Sequence, residues 1–166
     1  MKRFRGALLV LLLATLPAAA AGRATTLTGR FNSGGLHGED AARDFLTRYA
    51  SLLGLRPDLR DLKRVRHSVD RGGSVLTFQQ EHQGVPVFGG MVLVGLDTAD
   101  AIRYVKSDYV PNLIVDTTPL ITPAQALLAA GSTLGAPLAG RRAASRLVIV
   151  EGDKEHPGTH PAWEIG

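Results

Sequence analysis

The chain reads as an α+β fold in which an N-terminal helix packs on an antiparallel sheet and a second small helix-plus-strands unit follows. Three observations predict it. Apolar residues from Ala42 to Leu53 recur at helical spacing. Between Leu62 and Tyr109, four segments carry the composition and alternation of strands and are joined by short turns rich in Gly and Asp. From Thr122 a second helical segment begins, and two further strand-like runs come after it.

Ahead of these elements stands a leader. Met1 is followed by Lys2, Arg3 and Arg5, then by the apolar run GALLVLLLATL and by AAAAG from Ala18 to Gly22. A basic start, an apolar middle and small residues in an A-x-A pattern make a signal peptide over residues 1–21, with cleavage near Ala21. The apolar run is shorter than the roughly 20 residues that span a bilayer, and Pro17 interrupts it, so no stable membrane insertion is expected. The mature chain is expected to be secreted or periplasmic. Residues 22–38 are rich in Gly, Thr and Ser without a sustained period and read as a flexible lead-in.

Cleavage alters the charge balance. The leader holds three of the 19 basic residues and none of the 15 acidic ones, leaving 16 against 15 and a net charge of +1. The whole-chain pI of about 9.8 would suit a polyanionic partner, but the excess departs with the leader, so no nucleic-acid partner is expected. The remaining basic group, Arg56, Arg60, Lys63, Arg64 and Arg66, is interleaved with Asp58 and Asp61 and reads as a solvated face. There is no cysteine, which excludes a disulfide scaffold and leaves core burial to hold the exported chain together.

The elements follow in order. The first helix starts with Glu39 and Asp40, where carboxylates suit the positive end of the helix dipole, carries Ala42, Phe45, Leu46, Tyr49, Leu52 and Leu53 on one stripe, and stops at Gly54. LKRVRHSVD is expected to place Val65, His67 and Val69 on one side of a strand and Arg64, Arg66 and Ser68 on the other. Gly72 and Gly73 turn it into SVLTFQQEH. Gln83 and Gly84 then lead to VPVFGGMVLVGLD, where Gly89 and Gly90 signal a bulge or a close backbone approach. AIRYVKSDY is the fourth strand. Thr122 and Pro123 open the second helix as N-cap and first residue, and RLVIV and PAWEI complete the set.

The helix AARDFLTRYASLLGL, the turn VDRGG, the strand VLTFQQ and above all QGVPVFGG from Gln83 to Gly90 resemble, in order and spacing, the propeptide motif of fungalysin- and thermolysin-type metallopeptidases. The resemblance spans Ala41 to Asp97. Its signature positions are Phe45, Gly54, Gly72, Gln80, Gly84, Val85, Pro86, Val87, Phe88 and Gly89, all structural rather than catalytic. It implies a propeptide domain over residues 39–112. The Thr-Pro-started helix and the two runs after it look like a PepSY-type module over residues 113–166, expected to be incomplete.

The chemistry of the peptidase itself is not written in this segment. Zinc hydrolysis in this class needs H-E-x-x-H on one helix face with a further ligand downstream, and no such pattern occurs. Glu155, His156 and His160 come nearest, but Pro157 and Gly158 break the helix that the spacing requires, so a polar turn is favoured over a loop metal site. No catalytic residue, metal ligand or cofactor is assigned. The resemblance implies a secreted pro-region, itself no enzyme, that assists folding of a metallopeptidase catalytic domain and temporarily inhibits it, in cis or in trans. Two other readings stay open: the front part of a longer zinc metalloendopeptidase precursor, and a free-standing secreted binding module.

Overall fold

A computed structural model of the chain describes residues 24–134, 145–152 and 158–165. The expected signal peptide lies outside the described residues. The elements are β1 (Thr25–Phe31), α1 (Gly38–Arg48), α2 (Ala50–Leu53), β2 (Leu62–Asp70), β3 (Gly73–His82), β4 (Val85–Asp97), β5 (Ile102–Ser107), α3 (Pro123–Leu134), β6 (Ser145–Glu151) and β7 (Thr159–Ile165).

The expected α+β class, a leading helix packed on a sheet with a separate small unit behind it, is overturned. Strands make up 47% and helices 21%, and the strands form one curled seven-stranded sheet. Two segments produce the difference. The lead-in contains β1, which opens the fold and pairs antiparallel with β5. The rear hairpin β6–β7 joins the same sheet, because β6 runs parallel to β4 with Val87 opposite Ile149.

In the strand order β1-β5-β4-β3-β2, the run from β2 to β5 follows from short connections, which return each strand antiparallel beside the last, while β1 is placed by long-range pairing with β5. At the β3–β4 turn, Gln83 (φ 51) and Gly84 (φ 81) both take left-handed angles, as a two-residue hairpin turn demands. At the β2–β3 turn the tight position is Gly73: a Cβ there would come within 2.0 Å of the Leu96 carbonyl oxygen.

The main core lies on one face of this sheet. Leu76 and Phe78 of β3, Val92, Val94 and Leu96 of β4, and Ile102 and Val105 of β5 are buried together with Ala42, Phe45 and Leu46 of α1. Phe31 of β1 stacks on Phe45 with ring centroids 5.0 Å apart, and Phe45 on Tyr49 at 4.4 Å. The single expected helix is divided at Tyr49, whose backbone (φ -107, ψ 16) leaves the helical region. Gly54 (φ 70) then closes α2, with Leu55 N–H bonded to the Ala50 carbonyl at 2.8 Å.

A bulge at Val65 changes which residues of β2 share a face. Arg64 pairs with Phe78 but Arg66 with Thr77, so Arg64, His67 and Val69 fall on the α1 side, and Lys63, Arg66 and Ser68 on the other. The expected grouping of Val65 with His67 and Val69 does not form. Arg64 reaches Glu39 of α1 at 2.9 Å.

Candidate functional site

The most irregular part of the sheet is the signature segment in β4. Glu81 pairs with Pro86 and Gln79 with Met91, so Val87, Phe88, Gly89 and Gly90 all stand opposite the single residue Gln80. So large a bulge leaves backbone groups without ladder partners, and Gln79, the first of two consecutive glutamines, supplies partners for two of them. Gln79 Nε2 donates to the carbonyl oxygens of Val87 at 2.7 Å and Gly90 at 3.0 Å. The buried Gln80 turns the other way, donating to the Val110 carbonyl at 2.8 Å and accepting from the Val110 N–H at 2.9 Å. Its carboxamide thus imitates a strand neighbour for the chain leaving β5.

Each position expected as a signature residue has a definite place. Phe45 is fully buried and Gly54 ends α2. Gly72 occupies the β2–β3 turn, its N–H bonded to Asp70 Oδ1 at 2.7 Å. Gly84 turns β3 into β4, and Gly89 (φ 74) lets the bulge reverse. Pro86 brings no N–H to its place opposite Glu81. Val85 and Val87 point into a small second cluster with Val110 and Ile149, while Phe88 faces solvent.

Sequence reasoning missed Gln79, which holds the bulge, and Tyr109, whose hydroxyl donates to Asp61 Oδ2 at 2.5 Å. Burial first, and then the Asp61 carboxylate, push the Tyr109 phenol well above its ordinary range. The signal for the glutamines was available: two successive amides in a strand leave one on the core side of the pleat, where a hydrogen-bonding task accounts for it.

Among the described residues, no large core cluster forms on the face of the sheet away from α1. Register places Thr77, Leu93 and Lys106 in one row and Val75, Gly95 and Tyr104 in the next, with Gln79 beside Met91. A Cβ at Gly95 would meet the Tyr104 ring at 2.1 Å, so the tyrosine lies flat across the glycine. Val75, Met91, Leu93 and Tyr104 are half-buried. Arg66 beside Thr77 and Lys106 beside Leu93 flank this apolar strip.

A second polar device joins α1 to the β4–β5 turn. Asp100, in a left-handed conformation (φ 58), accepts from His37 Nδ1 at 2.7 Å and from the Gly38 N–H at 3.1 Å. It serves as a cap delivered from outside the helix, whose own N-cap residue, His37, makes no side-chain capping bond. The His37 hydrogen bond, and next that of Gly38, hold the Asp100 carboxyl below the usual carboxylate range.

The basic group at Arg56 to Arg66 is largely paired: Arg56 and Arg60 with Asp58, Lys63 with Glu81, Arg64 with Glu39. Glu155 and His156 lie outside the described residues. Among the described residues no group of three or more His, Cys, Asp or Glu side chains is placed to hold a metal ion, and no helix is long and apolar enough to cross a membrane.

The family model described as Fungalysin/Thermolysin Propeptide Motif matches residues 61–109. The matched stretch begins and ends on Asp61 and Tyr109, the two residues joined by the hydrogen bond above. It covers β2 to β5 with the glutamine-held bulge, and stops before α3. No curated protein matches the chain.

Proposed function

We propose that this chain is the secreted pro-region of a thermolysin- or fungalysin-type zinc metallopeptidase: it binds the catalytic domain, assists its folding and restrains it until removed. The observation that carries this reading is the propeptide motif match over residues 61–109, laid on a stretch whose ends are tied together by the Tyr109–Asp61 bond. On this reading the signature residues are scaffold. Phe45, Gly54, Gly72, Gln80, Gly84 and the segment from Val85 to Gly89 belong to the domain over residues 39–112, and the rear segment is a PepSY-type module over residues 113–166.

The surface offered to the peptidase is the sheet face away from α1, where Val75, Met91, Leu93 and Tyr104 form a half-buried apolar strip flanked by Arg66 and Lys106. A partner that binds only the folded peptidase lowers the free energy of that state and draws folding toward it. The same complementarity, retained afterwards, obstructs the enzyme.

The test uses residues 22–166 and the phosphoramidon-sensitive zinc peptidase secreted by the producing organism. Micromolar chain is expected to slow cleavage of a fluorogenic peptide and to raise the yield of active peptidase on dilution from urea. Unchanged rate and yield would overturn the reading.

A further inference from the structure

The fold explains every residue of the β4 bulge except one. Val87 is buried against Ile149 and Val110, Gly89 supplies the left-handed turn, and a Cβ at Gly90 would collide with Val87 at 2.9 Å. Phe88 does none of this: it is 60% exposed, and among the described residues its ring has no aromatic or cation partner. Its backbone is nonetheless held on both sides, by the Gln79 bonds to the carbonyls of Val87 and Gly90 and by the burial of Val87.

An exposed apolar side chain is ordinary on a protein surface. Leu52 on α2 is equally exposed. Phe88 differs in presentation, because an aromatic ring on a clamped backbone has little conformational freedom left to lose on binding and a large apolar area to bury. Its surroundings also limit what can receive it. From Gln83 to Leu96 no charged residue occurs, and the charged residue across the strand pair, Glu81 opposite Pro86, is matched by Lys63 at 3.5 Å, so the apex suits an uncharged apolar pocket.

We infer that Phe88 is the residue that anchors this chain in an apolar pocket of the peptidase catalytic domain, an inference that rests on the pro-region reading. The bulge lies within the matched propeptide segment, and its rigidity serves to aim the ring.

The experiment compares wild-type chain, Phe88→Ser and Leu52→Ser in inhibition of the same secreted zinc peptidase, with melting temperature measured for each. Phe88→Ser is expected to raise the inhibition constant about thirtyfold, the effect of losing a central aromatic anchor, at an unchanged melting temperature, while Leu52→Ser inhibits as wild type does. Equal inhibition by wild type and Phe88→Ser overturns the anchor and leaves the pro-region reading standing. Failure of the wild type to inhibit removes both. A concentration-dependent dimer of the isolated chain that Phe88→Ser abolishes would assign the ring to a second copy and overturn the proposal.

Discussion

The front and rear of this sheet are stabilised in different ways. The front cluster runs from Ala41 to Tyr109 and gathers side chains from α1, α2 and β2 to β5 around one core. The rear cluster has Val87, Val110 and Ile149 as its buried members, and β6 meets β4 at the single register pair Val87 and Ile149. The Trp163 Nε1 hydrogen bond to the Ile121 carbonyl at 2.9 Å is internal to the rear, joining β7 to the chain entering α3. The front is therefore a domain by its own burial, whereas the rear depends on the bulge that receives it. The β4 bulge consequently does two things, turning Phe88 outward and offering Val87 as a seat for β6.

Paired truncations break or sharpen this contrast most strongly. Phe45→Ala empties the centre of the front core and is expected to cost about 3–5 kcal/mol, visible as a large fall in the main thermal transition. Ile149→Ala should instead speed amide exchange in β6 and β7 while β3 to β5 stay protected. Equal loss of protection in both regions would mean that front and rear unfold as one unit and that the contrast is wrong.

Gln80→Ala acts at the boundary. It removes the partners of the Val110 N–H and carbonyl, and an unsatisfied buried backbone group costs about 1–3 kcal/mol. The expected loss, roughly 2–4 kcal/mol, falls on the front transition, and exchange at the Val110 amide should rise first. A mutant that melts as wild type does would show that water replaces the carboxamide and that the clamp is dispensable.

What the sequence disclosed depended on whether the determining contact was local. The order of β2 to β5 was legible because each turn carries its own Gly or Asp residues and the strands their own composition. β1 was not, since TTLTGRF lacks a period and becomes a strand through pairing with β5, far along the chain. The fold class was misread for the same reason: β1 and β6 add to the sheet through partners that no window of neighbouring residues contains. The bulge at Gly89 and Gly90 was visible as a glycine pair, but its support was not, because Gln79 and Gln80 find their partners across the sheet and beyond β5. That the Phe88 ring faces solvent is likewise a consequence of this distant support.

The smallest expected effect concerns the link between the front core and its entrance. The depressed Asp100 carboxyl contributes stability that is fully present above the ordinary carboxylate pKa of about 4 and is lost as pH falls through the lower folded value. Asp100→Asn tests this cleanly, because asparagine tolerates the left-handed angle that Asp100 adopts (φ 58) while removing the charge that faces His37 and the start of α1. The expected cost at pH 7 is about 1 kcal/mol, the usual value of a lost helix cap. The gap between wild type and variant should narrow as pH is lowered below about 4, because the wild-type carboxylate is then protonated as well. Thermal melts from pH 7 down to pH 3 measure it. A gap that persists unchanged at pH 3 would assign the stabilisation to the shape of the turn and not to the charge of Asp100.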